Sequence, residues 1–274
     1  MLSCLFVLVF TGCKKSSEVS AGHARDHVAF LAKAVSTDVQ EVRVGLPQGA
    51  ALLVDFFVQG QFDDASAARD ALDRTRSKVQ DLRVAKSTFF ALADAEGKVV
   101  RSDQEHDALA GKNVLQAFPE LSRAAGGAYV ETRGALPEAS GVRGRDDAQW
   151  VAAAPVTAEG KVKGLYVTGW SFSAYAYRLE NQLRSHVRSS LEAQTKEPLV
   201  YVFVVVEGRA YGAPITPDIN ARAVEQQAFG QKTRGEPGPH KAELEITGRD
   251  FGAAYMATPA LGKGAGIAVL RSET

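Results

Sequence analysis

Apolar residues recur at three- and four-residue steps through HVAFLAKAVSTDVQEV, at Val28, Leu31, Val35, Val39 and Val42. That spacing puts them on one face of a helix. Pro47, with Gly45 and Gly49 beside it, predicts a break or the start of a new helix. GAALLVDFFVQG reads as a second, more apolar segment. Asp63, Asp64 and Ser66 offer caps for a third helix, AARDALDRTRSKVQDL, whose charges form a solvated face. Past residue 88 the pattern turns strand-like. Runs at 89–93 and 98–101 flank Ala95-Glu96-Gly97 and predict a hairpin. Short helices and loops fill 104–125, one of them opening at Gly111-Lys112-Asn113. AYVETR (128–133) reads as a strand. Residues 134–147, rich in Gly, Pro and charge, predict a mobile loop. AQWVAAAPV (148–156) and KVKGLYVTGWSF (161–172) read as two long strands around Ala158-Glu159-Gly160. A helix runs from Ser173 to about residue 195, with Tyr177, Leu179, Leu183, Val187 and Leu191 inward and Pro198 as its stop.

The order strand, strand, helix, strand, strand, strand then recurs. PLVYVFVVV is a strand, Glu207-Gly208-Arg209 a turn, and Ala210-Tyr211 the start of its partner. Residues 217–228 read as helix. KAELEIT (241–247), FGAAYMATP (251–259) and AGIAVLR (265–271) supply three more strands. Glu96-Gly97-Lys98 is echoed by Glu207-Gly208-Arg209, and Ala154-Pro155 by Thr258-Pro259. Shared element order is the stronger sign of an internal repeat.

Composition narrows the class. The chain has 274 residues, 45% hydrophobic and 23% charged, which suffices for a packed core. Its 32 basic and 32 acidic residues balance, so no nucleic-acid partner is expected. The two cysteines are Cys4 and Cys13, so a disulfide framework or thiolate metal site beyond Lys14 is excluded.

The N-terminus carries an address. An apolar run from Leu5 to Phe10, then Thr11-Gly12-Cys13, is too short to span a membrane and suits a secretion signal. Phe10-Thr11-Gly12-Cys13 resembles the lipobox of bacterial lipoproteins. The resemblance implies a signal peptide at 1–12, a lipid on Cys13, and a tether at 13–19 that holds the protein to the cell envelope. Lys14 stands where inner-membrane retention would place Asp, which favours the outer membrane.

FFALADAEGKVVRSD followed by WVAAAPVTAEGKVKGLYVTG resembles the extracytoplasmic Cache sensor domain, in its double form. The resemblance covers roughly residues 20–274. It implies an α+β fold of two PAS-like modules, each a five-stranded antiparallel sheet with flanking helices, after a long N-terminal helical region. The boundaries are 20–87 for the helical region, 88–172 for the first module, 173–197 for a connecting helix and 198–274 for the second module. It also implies a ligand pocket on one face of a sheet. Family members that bind amino acids carry an Arg-x-Trp-Tyr motif. Trp150 has no such motif around it, so an amino-acid ligand is not implied.

Pockets for small ligands combine apolar walls with a few orienting polar groups. Asp103, Phe118, Tyr129, Glu131, Arg133, Trp150, Tyr166 and Trp170 lie along the first module. Asp103, Tyr129, Arg133, Trp150 and Tyr166 are the ligand-binding candidates. Tyr129, Glu131 and Arg133 alternate onto one strand face. Ala152 and Ala154 would leave room beside Trp150, and Arg133 could hold a carboxylate in a bidentate contact. Taken singly, Trp150 and Tyr166 also fit a core and Arg133 a surface. Tyr201, Tyr211, Asp218, Tyr255 and Met256 form the comparable set in the second module, whose shorter middle segment predicts a smaller or filled pocket.

Other patterns predict no chemistry. His23 and His27 share a helical face but show no third metal ligand. Asp250-Phe251-Gly252 has none of the other kinase motifs and reads as a strand start. The glycines of 262–266 link two strands and read as a hairpin. No Gly-x-Ser-x-Gly elbow occurs, and His106 and His186 have no sequence-visible partner. The expectation is a non-enzymatic protein without cofactor or metal. It would be a lipid-anchored sensor that binds a small molecule and passes its signal to a separate membrane receptor or kinase, since no output domain follows. The alternative is a structural or assembly lipoprotein of the envelope that uses the fold without a ligand.

Overall fold

In the computed structural model, residues 16–60, 64–192, 195–229 and 238–273 are described. The expected signal peptide, Cys13 and the capping candidate Asp63 lie outside them.

Helix α1 runs without interruption from Ser16 to Leu52, 37 residues, or roughly 55 Å at 1.5 Å per residue. Its buried stripe continues Val28, Leu31, Val35, Val39 and Val42 to Leu46 and Ala50. The break expected at Pro47 does not occur. Proline's local cost is outweighed by packing on both sides of it. A Cβ on Gly45 would come 2.9 Å from Leu82, and one on Gly49 would come 2.7 Å from Tyr166. At both glycines α1 lies against its neighbours too closely for a side chain. The turn comes instead at Leu53, before α2 (Val54–Gln59). Asp64 then caps α3 (Ala65–Lys78), accepting the backbone N–H groups of Ser66 and Ala67. The expected third helix is split by extended Val79 from α4 (Gln80–Val84).

The strands follow the sequence reading. In the first half these are β1 (Phe89–Asp94), β2 (Val99–Ser102), β3 (Val130–Gly134), β4 (Gln149–Ala158) and β5 (Lys161–Ser171). Asn113 caps the short α5 (Val114–Ala117), and α6 (Ser122–Ala125) follows. In the second half they are β6 (Leu199–Val206), β7 (Arg209–Gly212), β8 (His240–Ile246), β9 (Arg249–Ala257) and β10 (Ala265–Ser272). All pairings are antiparallel, in two five-stranded sheets of order β2-β1-β5-β4-β3 and β7-β6-β10-β9-β8. The second order repeats the first, strand for strand. Glu207-Gly208 turns with both φ positive, at 51° and 88°, the backbone of a tight two-residue hairpin.

Helix α1 covers one face of both sheets. Its first turns lie on the second sheet, where Gly252 has no side chain to obstruct Ala21. Its later turns lie on the first sheet, against Tyr166 and, through α4, Leu82. The opposite face of the first sheet carries Phe89, Val151, Leu165 and Val167 under Leu109, Val114, Phe118 and Leu121. The second sheet's opposite face is filled by Phe203, Phe251 and Tyr255 together with Val224 and Phe229. Phe229 stacks on Tyr255 at 5.7 Å.

Between the sheets runs α7 (Phe172–Ser190), capped by Ser171. Leu179, Leu183 and Val187 are buried as expected, but Tyr177 is 44% exposed and Tyr175 takes the inward place. The buried positions 172, 175, 176, 179, 183 and 187 keep one helical phase that excludes 177. The helix stops at extended Leu191 rather than at Pro198. The 134–147 segment, read as a mobile loop, is tied down by Asp147. Its carboxylate accepts from Ser171 Oγ at 2.6 Å, Gly141 N at 2.9 Å and Ser173 N at 3.2 Å.

Candidate ligand site between the two sheets

Strand β3 is an edge strand, and its alternation decides what each side chain meets. Tyr129 and Glu131 turn toward α1. Thr132 turns away and donates to Glu120. Glu131 takes both donors of Arg43, from α1, at 2.6 and 2.9 Å, and accepts the Tyr129 hydroxyl at 2.9 Å. Burial, with Glu131 beside it, pushes the Tyr129 hydroxyl far above its ordinary pKa. Hydrogen bonding to Glu131 raises that of Arg43.

Arg133 sits opposite Trp150 in the β3–β4 ladder and reaches the second sheet. Its Nη2 donates to the Lys263 carbonyl at 3.0 Å and lies 3.4 Å from Glu207 Oε1. Its Nη1 is buried with no hydrogen-bond partner. Gly262, at φ 98°, lets the backbone pass beneath the guanidinium; a Cβ there would stand 3.3 Å from Arg133 Nε. Arg43, Glu131, Arg133, Trp150, Glu207 and Gly262 line a cleft of about 310 Å³ where the two sheets meet.

Behind the cleft lies a stack of three rings. Trp150 stacks on Trp170 at 4.3 Å, and Trp170 on Tyr175 at 4.7 Å. The Tyr175 hydroxyl donates to buried Asp38 of α1 at 2.6 Å. Burial raises the pKa of Asp38, against the hydrogen bond from Tyr175. Trp150 is itself 1% exposed. The room expected beside its ring, over Ala152 and Ala154, is taken by Trp170 and α1. Trp150 therefore forms the floor of the cleft at its edge.

The structure brings Arg133 and Trp150 to this cleft, while Tyr129 stands behind it and reaches it only through its bond to Glu131. It puts Asp103 and Tyr166 elsewhere, under α3. Asp103 accepts Phe90 N at 2.8 Å and Arg76 Nη1 at 3.2 Å, and burial raises its pKa despite both. The Arg76 guanidinium lies 5.0 Å from the centre of the Phe90 ring. Tyr166 is fully buried against Phe90 and Gly49, with no partner for its hydroxyl. Phe118 faces the other side of the sheet.

In the second half Tyr211 and Asp218 share a small cleft of about 290 Å³ beside Arg145, and Tyr201, Tyr255 and Met256 do not join them. Tyr201 packs on Phe251, Tyr255 on Phe229, Tyr211 on Phe172, and Asp218 pairs with Arg145. Met256 packs against the core shared with α1. Arg43, Glu207 and Gly262 were not singled out as site residues from the sequence. They belong to elements far from β3 in the chain, and no local pattern marks them.

No protein-family model and no curated protein matches the chain. Solved structures do, at low identity. An extracellular ligand binding receptor from Desulfohalobium retbaense is 12% identical, with a TM-score of 0.52. The match covers 90% of this chain but 40% of that one, so the chain spans less than half of that receptor. The sensor domain of the Vibrio cholerae histidine kinase DctB is 14% identical at TM-score 0.52, over 95% of this chain and 99% of that one. The ligand-binding domain of the Pseudomonas fluorescens chemoreceptor CtaA, solved with L-isoleucine, is 12% identical at TM-score 0.51, over 94% and 93%. The fold is the one implied by the double Cache resemblance: two antiparallel five-stranded sheets, flanking helices and a long N-terminal helix.

Proposed function

We propose that this protein is an extracytoplasmic small-ligand sensor or binding protein, and that the cleft at Arg133 is its ligand site. The observation that carries the reading is Arg133 on the wall of a cleft, its guanidinium holding one buried nitrogen, Nη1, with no hydrogen-bond partner. A buried donor left unpaired is costly, and a ligand that supplies an acceptor offsets that cost. A planar fork of this kind fits a carboxylate. The cleft meets both sheets and α1 at once, so a ligand there touches all three. The sensor and receptor domains that share the fold support the same class. Anchoring through Cys13 and signalling through a separate membrane receptor or kinase complete the proposal. Asp103 and Tyr166 take structural roles in it, as does the ring stack behind Trp150.

A thermal-shift screen of the purified protein against organic acids, amines, purines and amino acids tests the reading. A carboxylate that raises the melting temperature of the wild type and leaves Arg133→Ala unmoved is the expected result. A flat screen, with a specific envelope protein captured by cross-linking in intact cells, gives the structural or assembly role instead.

A further inference from the structure

The cleft holds two guanidinium groups in different states. Arg43 holds Glu131 in a two-point contact through Nε and Nη2, at 2.6 and 2.9 Å. Arg133 is held loosely by a carboxylate from the other sheet, Glu207, at 3.4 Å, while its second nitrogen stays unpaired. The side chain of Glu207 is 77% exposed. A pair at that distance with one partner exposed is weak, because the Glu207 carboxylate recovers its water when the two separate.

Glu207 also occupies a mechanically telling place. It sits in the two-residue turn between β6 and β7. The other flank of that turn, Arg209, pairs with Asp146 of the first half at 3.2 Å. Next to Asp146, Arg145 donates to the Ala213 carbonyl just beyond β7 at 2.7 Å and to Asp218 at 3.0 Å. The hairpin of the second sheet is thus gripped from two sides by first-half charges. The grip by Arg145 and Asp146 lies away from the cleft. The grip by Arg133 lies in it.

We infer that Glu207 is a built-in competitor for the ligand. Its carboxylate stands where the ligand's carboxylate binds on Arg133, and ligand entry displaces it and frees one side of the β6–β7 hairpin. The inference rests on the cleft being the ligand site and adds its regulation. A monocarboxylate or dicarboxylate would release Glu207 and take its place on Arg133. The displaced side chain moves into solvent; the hairpin keeps its Arg145 and Asp146 contacts to the first half and its backbone pairing with β10. Binding at the first sheet then reaches the second through a change in which carboxylate Arg133 holds.

The test uses the full chain in detergent with acetate, propionate and succinate as probes, at constant ionic strength. The chain has two tryptophans, one on the cleft floor and the other stacked on it, so intrinsic fluorescence reads the titration. Glu207→Gln should bind about two- to fivefold tighter than wild type, the range such a weak pair supports, and Arg133→Gln should not bind. Equal affinity in wild type and Glu207→Gln, with Arg133→Gln inactive, overturns the competitor and leaves the cleft standing. Flat titrations for both overturn the carboxylate assignment. A second readout needs no ligand. Hydrogen exchange at 209–212 should speed up in Glu207→Gln, and unchanged exchange there overturns the grip whatever the titrations give.

Discussion

At the scale of single residues, burial sets the ionisation behaviour. His27 points inward from α1, its Nε2 3.3 Å from Arg271 Nη1, and its Nδ1 is buried without a partner. Its neighbour His23 turns to Glu273 at 3.0 Å instead. Phe30 stacks on His186 of α7 at 4.4 Å. Burial first, then the Arg271 charge, pushes the pKa of His27 down from 6.5 to about 4. Between those values the unfolded chain binds a proton that the folded chain refuses. The stability this contributes is whole above 6.5 and is lost as pH falls toward 4. Asp38 and Asp103, with pKa values raised by burial, slope the other way, so only a difference between variants isolates the histidine. His27→Gln keeps a polar group for Arg271 and removes the titration. Urea unfolding at about pH 7 and about pH 4.5 should show the wild type losing more stability than His27→Gln. Parallel losses would place the acid sensitivity elsewhere.

At the scale of elements, the sequence was legible wherever a local rule met no long-range opponent. The stripe of α1, the caps at Asp64 and Asn113, and the strands around Glu159-Gly160 and Glu207-Gly208 all follow from spacing and turn chemistry. Pro47 was misleading because its cost is local, while the contacts that carry α1 through it come from α4 and β5. Tyr177 was misleading because one step of helical phase separates it from the buried stripe. The glycines of α1 make this testable. A Cβ at Gly22 would meet nothing within 4 Å, whereas one on Gly49 would meet Tyr166 at 2.7 Å and Leu82 at 2.8 Å. Gly22→Ala should raise stability by about 0.5–1 kcal/mol through helix propensity alone. Gly49→Ala should lower it by about 1–3 kcal/mol, the usual cost of overpacking. Denaturant midpoints measure both, and a stabilising Gly49→Ala would mean that α1 does not lie on Tyr166.

At the scale of the whole molecule, the repeat was readable and the cleft only in part: Arg133 and Trp150 were singled out, Arg43 and Glu207 were not. Two identical strand orders follow from two similar runs of elements. The cleft joins Arg43 to Glu131 across 88 positions and Arg133 to Glu207 across 74, and no period in a sequence encodes such pairs. The same geometry bears on the proposed anchor. Early in α1, Ser17 bonds Glu243 of β8, and His23 meets Glu273 just past β10. A lipid on Cys13, close before α1, would therefore hold the second sheet beside the membrane. The cleft would stand roughly 40 Å farther along α1, taking 1.5 Å per residue from Ser16 to Arg43. No helix among the described residues is long and apolar enough to cross a membrane. Labelling cells with a palmitate analogue should mark the wild type and not Cys13→Ser, and the variant should leave the membrane fraction. Because cleft and anchor lie at different ends of α1, the released variant should still bind the same carboxylates with wild-type affinity. Equal labelling of the two chains would remove the anchor, and binding lost along with the lipid would mean that the cleft depends on the membrane.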